Sequence, residues 1–406
     1  MMKMKIFLTL SILVAPIVLL AQTPVDTANI VDIDTTGQRD LIDIGRAFFK
    51  IKTTRPNTKS RREIFFSVLP LSSNVPGGSK ALVTSTTAGF YLGRRKTTYL
   101  SGVTFAPYFN FAGRYGLPIH SSIWLANNIY NIQGDTRFLV YPQYTWGLGG
   151  GQLEANKLLV SYNYIRFYQS ALKRIKPYFY VGAGYNLDYY ININTGSQAP
   201  LPEFTGYPYG TATGKNSFSN GINLDLLYDT RQNSFNPIPG SFINVIYRHN
   251  AEFLGSDENA ASLFVDVRKY LSLSNTGEKN ILAFRSFLWT TLSAGTPYLN
   301  LPAIGMDPDQ RSGRGIEQAR YRGESLLYFE GEYRRDITRN GLLGFVVFAN
   351  LNSASQPNGR SLQFWNPAAG TGLRLKFNKK SDTNICVDYG FSKGFSDISI
   401  SLGEAF

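Results

Sequence analysis

Side chains that could carry out chemistry are few in this sequence, and their spacing matches no familiar catalytic or metal site. The 406 residues include two His and one Cys. His120 and His249 lack the spacing of metal ligands, and Cys386 alone cannot form an internal disulfide. The acidic residues that could serve as paired carboxylates in hydrolysis are Asp225, Asp229, Glu330, Glu332 and Asp388. Because these acids fall in segments where charge on one face is ordinary, we predict no catalytic residue, no metal site and no cofactor.

The composition is basic and unusual for a soluble protein. Lys and Arg number 41 against 28 Asp and Glu, a formal net charge of +13, yet only 17% of the residues are charged. Soluble proteins average about 25%. Aromatic residues make up 14% of the chain, and there are 38 Gly to supply turns. Excess cations can bind either nucleic acid or the phosphates of a membrane surface. The N-terminal residues favour the membrane surface.

The first 21 residues have the composition of a secretory signal peptide. Lys3 and Lys5 precede an uncharged run over residues 6–20, and Ala21 is a small residue at the expected cleavage point. An N-terminal membrane anchor is the alternative, but Pro16 interrupts this run, which is shorter than the ~20 residues that span a bilayer. No second apolar stretch of that length follows, which excludes a helical inner-membrane protein. Export argues against a nucleic-acid partner and favours lipopolysaccharide phosphates and outer-membrane lipids.

Beyond residue 62, apolar and polar residues alternate with the two-residue period of half-buried strands. In one example, Val265 and Val267 flank Asp266. About sixteen such segments fit into residues 63–406, one about every 21 residues, and a membrane-spanning strand needs only about 9 to 11. Behind a signal peptide, this even number predicts an all-β protein, a transmembrane antiparallel β-barrel of about 16 strands in the bacterial outer membrane. A large soluble β-sandwich or propeller, which also alternates, is the alternative.

The remaining segments complete the predicted organisation. Residues 22–62 run from acidic to basic, and apolar residues near the junction have nearly helical spacing. This periplasmic segment is therefore either a solvated linker or a linker with a short amphipathic helix at the barrel mouth or membrane surface. Loops 194–216 and 299–323 fall on the same side when strands are counted from Glu63, as long outer loops do.

Two connecting segments are more specific than ordinary barrel loops. In the first, Asp229 and Arg231 precede Pro237 and Gly240, a turn in which Pro fixes φ and Gly permits positive φ. The second, in the long loop before the strand at residues 326–334, contains Arg314, Gly315 and Ile316. Strand alternation places Glu330, Glu332 and Arg334 on the polar face. A loop folded back into the lumen could then pair Arg314 with Glu330 or Glu332 through a charge-assisted contact.

Together these segments resemble the BamA/TamA-like superfamily of outer-membrane barrels, also called the bacterial surface antigen family. The matching segments, in order, are Asp229 to Gly240, Arg314 to Ile316, Glu332 to Arg334, Gly370 to Arg374, Asp388 to Gly390 and Leu402 to Phe406. The ending resembles the form common among Bacteroidota-type members, in which a terminal strand closes on Phe as the barrel signal, here Phe406. The family usually has Phe or Tyr where this chain has Ile316, and often a strand Asp where it has Asn350.

The resemblance implies a sixteen-stranded barrel with an inward-folded long loop. It also implies a weakly paired seam between the strands near Phe65 and Ile400, where an unsatisfied edge could template a client strand. The implied function is protein assembly or translocation, with unfolded outer-membrane proteins or other assembly subunits as partners. Residues 22–62 are too short for the periplasmic repeats that deliver clients in that family. A passive pore, or a structural barrel subunit of a larger complex, is therefore the alternative.

Overall fold

Antiparallel strands dominate the computed structural model of this chain. The described residues are 37–50, 64–75, 79–110, 113–140, 142–196, 198–212, 215–231, 233–237, 239–274, 279–357 and 360–406. The predicted signal peptide and most of the predicted linker lie outside these residues. No helix in the described residues is long and apolar enough to cross a membrane.

Eighteen strand segments make up the described wall. They are β1 (Ile64–Val75), β2 (Ser79–Phe90), β3 (Ser101–Phe105), β4 (Tyr108–Phe109), β5 (Tyr115–Trp124), β6 (Tyr130–Val140), β7 (Gln143–Thr145), β8 (Leu158–Lys176), β9 (Phe179–Asn194), β10 (Lys215–Asp229), β11 (Gly240–Asn250), β12 (Ala260–Ser272), β13 (Asn280–Thr291), β14 (Ser325–Asp336), β15 (Leu343–Ala354), β16 (Asn366–Asn378), β17 (Thr383–Ser392) and β18 (Phe395–Leu402). The helices are α1 (Leu41–Phe48) and α2 (Leu201–Thr205), with 3-10 turns at Ala126–Asn128, Glu154–Asn156, Glu252–Leu254 and Tyr298–Asn300.

The eighteen segments form sixteen wall strands, because two of the wall strands are interrupted and each consists of two segments. Both β3 and β4 pair with β2 and with β5, and both β6 and β7 pair with β8. Pro107 and Pro142 lie at the two interruptions, where a residue without a backbone N–H cannot continue the ladder. Every wall strand pairs antiparallel with its neighbour in sequence. The predicted all-β transmembrane barrel of about sixteen strands is confirmed.

The two faces of the wall show the polarity expected in a membrane rather than in water. On β16, the side chain of Leu373 points outward with 54% of its surface exposed, while the neighbouring Arg374 is only 4% exposed. The same inversion occurs on β14, where Glu330, Glu332 and Arg334 are all buried. An apolar outer face and a charged interior suit lipid outside and a polar lumen inside.

The wall has one boundary without a described ladder, between the first and last strands. Cα atoms of β1 and β18 come within 8 Å of each other. In the described backbone, however, no register of paired residues joins these two strands. Each therefore presents an edge whose backbone groups lack the strand partner that every other wall strand has on both sides.

Helix α1 lies against the turns at one mouth of the barrel. The side chain of Asp40 caps its N-terminus and also accepts a hydrogen bond from the backbone N–H of Lys379 at 2.8 Å. Asp43 forms an ion pair with Lys379 at 2.6 Å, so the polar face holds the helix to the β16–β17 turn. Phe48 is 79% exposed. The helix therefore leaves an apolar face uncovered at this mouth.

Candidate functional site

The long loop between β13 and β14, residues 292–324, folds back into the lumen. Ile304 and Ile316 from this loop pack in one apolar cluster with wall residues that include Phe287 and Tyr328. The rings of Phe287 and Tyr328 stack with their centroids 4.9 Å apart. An aliphatic Ile316 therefore fills an apolar space inside the barrel, at the position where the resembling family usually has an aromatic residue.

Arg314 lies at the centre of the loop's contact with the wall. Its Nη2 donates to Glu330 Oε1 at 2.6 Å and also to Glu332, while Nη1 donates to Asp388 Oδ2 at 2.8 Å. The guanidinium also lies over the ring of Phe348, 3.7 Å from its centroid. One cation from the loop thus binds three carboxylates on two different wall strands. Glu330 and Glu332 are the partners expected from the sequence, and Asp388 is a third that the sequence did not indicate.

Two glycines allow the loop backbone to touch the wall beside Arg314. Gly315 has φ +83°, and a Cβ built on it would lie 2.5 Å from the backbone N of Phe391. A Cβ on Gly390 of β17 would in turn lie 2.5 Å from the backbone N of Gly315. The two backbones meet here without an intervening side chain, which places the loop at a fixed depth in the lumen.

Polar groups around Arg314 complete this contact. Asn350 on β15 donates from Nδ2 to the carbonyl oxygen of Arg314 at 2.9 Å. Tyr328 accepts from the backbone N–H of Gly313 at 3.0 Å and donates to Glu330 at 2.8 Å. Asn350 thus binds the main chain of the loop. In the family that this chain resembles, a strand Asp at this position is expected to bind the side chain of the loop Arg.

A second group of buried charges, which sequence reasoning missed, fixes the preceding part of the loop. Arg285 on β13 binds Asp266 of β12 at 2.9 Å and Asp307 of the loop at 3.0 Å. Arg268 of β12 binds Asp266 at 2.6 Å and also Asp309. The alternation of the two strands put Asp266 and Arg268 on a common face, but only the folded loop brings Asp307 and Asp309 to them.

The turn between β10 and β11 also folds into the barrel. Arg231 donates to both carboxylate oxygens of Asp229 at 2.9 Å, and Pro237 is buried. Asn233 donates to the carbonyl of Ser381 at 2.9 Å, which connects this turn to the β16–β17 turn. Gly240 begins β11. The four motif residues therefore shape a turn that reaches across the same mouth at which α1 lies.

Phe406 is placed differently from the expectation of a terminal strand that ends on it. The last strand, β18, ends at Leu402, and Gly403 adopts φ +81°. Phe406 is 3% exposed and packs with Tyr270 and Ile281. The chain leaves the wall because Gly403 permits a left-handed turn, which carries the following residues into the lumen.

The predicted carboxylates form polar contacts inside the barrel. Arg374 donates to Asp388 at 2.5 Å, and Arg334 donates to Glu332 at 2.6 Å. Asp225 accepts from Asn223 at 2.6 Å. His120 lies 3.6 Å from Asp135. Such pairing positions the elements that carry these groups, and it uses the carboxylates as hydrogen-bond acceptors.

Comparison with solved structures identifies the type of barrel. The chain is similar to BamA from Haemophilus ducreyi lacking POTRA domains 1-3, with a TM-score of 0.50 and 13% identity over 84% of this chain and 69% of that one. It is also similar to CdiB from Acinetobacter baumannii, with a TM-score of 0.51 and 13% identity over 84% of this chain and 58% of that one. The fold is that of a BamA-like barrel.

Sequence comparisons give no further match. No family model matches the chain, and no curated protein does. The chain also spans less than two thirds of the CdiB structure. At 13% identity the likeness concerns the arrangement of strands in a BamA-like barrel.

Proposed function

We propose that this BamA-like barrel is an integral protein of the bacterial outer membrane that assembles or translocates other proteins through the seam between β1 and β18. The absence of a described ladder at this seam is the observation that carries the proposal. Two strand edges within reach of each other offer backbone donors and acceptors to an incoming strand, which would be bound by strand addition. Separating them breaks no ladder, whereas opening any other boundary would break one.

The filled lumen supports a route through the wall rather than along the barrel axis. The long loop and the β10–β11 turn both occupy the interior, and the cavity left between them is about 400 Å³. That volume is in the range of a pocket for one small molecule. A passive pore, the alternative function, would need an open channel, so the occupied interior favours the assembly or translocation function.

The charges suggest the partners of such a protein. Outward-facing apolar residues would contact lipid, and the excess of Lys and Arg would attract lipopolysaccharide phosphates. Client strands of unfolded outer-membrane proteins would be the substrates, and other assembly subunits would deliver them. The contacts inside the barrel are ionic and structural, so no bond chemistry by this chain is part of the proposal.

Locking the seam with a disulfide tests the proposal. Val68 of β1 and Ile398 of β18 are both outward-facing, with 46% and 59% of their surfaces exposed. Cys scanning of β18 against Val68→Cys, beginning with Ile398→Cys, should give a pair that cross-links under oxidation, because Cα atoms of the two strands come within 8 Å. Cells in which this variant replaces the wild type should then lose several unrelated barrels from the outer-membrane proteome, and a reductant should restore them.

A matched pair across an existing ladder provides the control. Val387 of β17 lies directly opposite Ile400 of β18, so a Val387→Cys/Ile400→Cys disulfide joins strands that are already paired. This variant should keep the proteome of the wild type. If the locked seam also leaves the proteome unchanged, assembly through the seam is wrong, and the passive pore or structural subunit becomes the better account.

A further inference from the structure

The segment Gly403–Phe406 lies inside the lumen as if it were a bound peptide. It follows the last wall strand, turns inward at Gly403, and has Glu404 3%, Ala405 9% and Phe406 3% exposed. The burial of a charged residue among barrel charges needs specific partners. The surrounding side chains supply them for each part of the segment in turn.

The carboxylate of Glu404 has three partners outside its own segment, and two of them lie on wall strands. Its Oε2 accepts from Arg374 Nε of β16 at 2.7 Å, and its Oε1 accepts from Asn384 Nδ2 of β17 at 2.8 Å. Lys279, just before β13, lies 3.5 Å from Oε1. Burial alone would raise the pKa of Glu404, but Arg374 and Lys279 hold it well below the usual range. The site therefore selects an ionised carboxylate.

The aromatic ring and the main chain of the segment are recognised separately. The ring of Phe406 packs 6.2 Å from that of Tyr270, with the guanidinium of Arg334 5.2 Å from its centroid. Arg334 also donates to a main-chain oxygen of Phe406 at 3.0 Å. The backbone N–H of Glu404 donates to the carbonyl of Phe235, in the β10–β11 turn, at 2.8 Å.

The long loop also binds this segment. Arg311 donates from Nη2 to the carbonyl of Leu402 at 3.1 Å and from Nη1 to the carbonyl of Glu404. The segment thus connects the end of β18 to the loop and to the β10–β11 turn. These are the elements that fill the barrel, and the segment forms contacts with each of them.

We propose that this part of the lumen is a peptide-binding site for an acidic–small–aromatic sequence, occupied in this chain by Glu404–Phe406. Occupation in cis ties the end of β18 to the long loop. A peptide of the same chemistry would bind the site when the chain's own segment has left it. The site is defined by its contacts alone and does not depend on the proposed assembly function.

The single cysteine of the chain reports on the segment. Cys386 is 1% exposed, and its Sγ lies 3.2 Å from the carbonyl oxygen of Gly403, directly beneath the turn. A small maleimide should modify it slowly in the folded wild type. In Glu404→Gln and in Phe406→Ala we expect modification to be about tenfold faster or more, since each change removes strong contacts that keep the segment in place.

Two controls separate this effect from misfolding, and a variant outside the segment tests the site a second time. Glu258 lies exposed in an outer loop, so Glu258→Gln should leave the rate unchanged. Heat-modifiable mobility in gels should show that each variant keeps a folded barrel. Lys279→Met alters the site from the wall and should also speed modification, which gives a second test if a change in the segment prevents folding.

A synthetic peptide completes the experiment. In the full-length Glu404→Gln variant, whose own segment is held more weakly, acetyl-Gly-Glu-Ala-Phe should slow the modification of Cys386, whereas acetyl-Gly-Gln-Ala-Ala should not. Protection by the first peptide alone would support the site. Equal rates with both peptides, or wild-type rates in Glu404→Gln, Phe406→Ala and Lys279→Met, would overturn it.

Discussion

At the scale of single residues, the interior is organised by balanced charge. Four carboxylates, those of Glu330, Glu332, Asp388 and Glu404, form ion pairs with Arg314, Arg334, Arg374 and Lys279. None of these pairs lies on the surface, so screening by solvent is weak. In such a group, the removal of one partner leaves an uncompensated buried charge.

Arg314→Ala should accordingly destabilise the docked loop. The change leaves Glu330, Glu332 and Asp388 without their shared cation, a loss of about 3 to 5 kcal/mol for a broken buried pair. The expected result is a lower temperature for the heat-modifiable transition and less protein in the membrane. Arg360→Ala is the matched control, because Arg360 is 43% exposed where it pairs with Glu324. Unchanged mobility and abundance in Arg314→Ala would contradict the tether.

The contact of Asp309 with the wall should persist in mild acid. Desolvation would raise the pKa of Asp309, whose side chain is still 43% exposed, but Arg268 and Arg285 lower it below its ordinary value. A lowered folded-state pKa contributes stability above the unfolded pKa of about 3.9, which is lost only as pH falls through the folded value. Proteolysis of the loop should therefore be equally slow at pH 7 and pH 5.

Asp309→Asn provides the comparison for this pH test. It removes the negative charge at both pH values, so the loop should be cleaved faster than in the wild type at pH 7 and at pH 5 alike. Wild-type protein that becomes as sensitive as Asp309→Asn between pH 7 and pH 5 would show that the carboxylate titrates in that range, and the expectation would be wrong.

At the scale of elements, the wall strands were predictable because each alternates locally. The sixteen segments predicted from the sequence correspond to the sixteen wall strands. The segment centred near residue 141 falls between β6 and β7, and the one centred near residue 125 falls one residue beyond β5. There, Asn127 and Asn128 adopt φ +58° and +54° and end the strand in a tight turn. The interruptions near Pro107 and Pro142 were not predicted. The two segments of each interrupted strand pair with the same neighbouring strand, and in the sequence they form one alternating run.

The contacts of the loop, turn and tail were harder to predict. The contact of Arg314 was predictable in part, because Gly315 follows it and Glu330 and Glu332 lie on the polar face of the next strand. By contrast, Asp388 lies 74 residues further along the chain from Arg314, and nothing in its local pattern indicates a partner. The inward turn at Gly403 was missed for a similar reason, because the alternating pattern of β18 gives no sign of where the chain leaves the wall.

Packing between elements should be sensitive to one methyl group at the loop–wall contact. Gly390→Ala would place a Cβ 2.5 Å from the backbone N of Gly315, so the loop must shift away from the wall. We expect easier proteolysis of the loop while the wall strands stay folded. Gly45→Ala is the control, because a Cβ there meets nothing within 4 Å. Equal protease resistance in both variants would contradict the backbone contact.

At the scale of the whole molecule, the wall and the interior differ in how they are built. The wall repeats the pairing of each strand with the next, and many exposed apolar side chains lie on its outer face. The interior is assembled from three separate segments, the long loop, the β10–β11 turn and residues 403–406. The wall therefore carries the general barrel fold, and the interior carries the features particular to this chain.

That difference has a consequence for the order of folding. Ladders between sequence neighbours close short loops, whereas Arg334 meets Phe406 across 72 residues, Arg311 meets Leu402 across 91 and Arg322 meets Gln143 across 179. Long-range contacts require more loop closure and are expected to form late. In a refolding time course, the gel shift produced by the pairing of neighbouring wall strands should precede the protection of Cys386 from alkylation. Maturation of this protein then ends inside the barrel, after the wall has already formed.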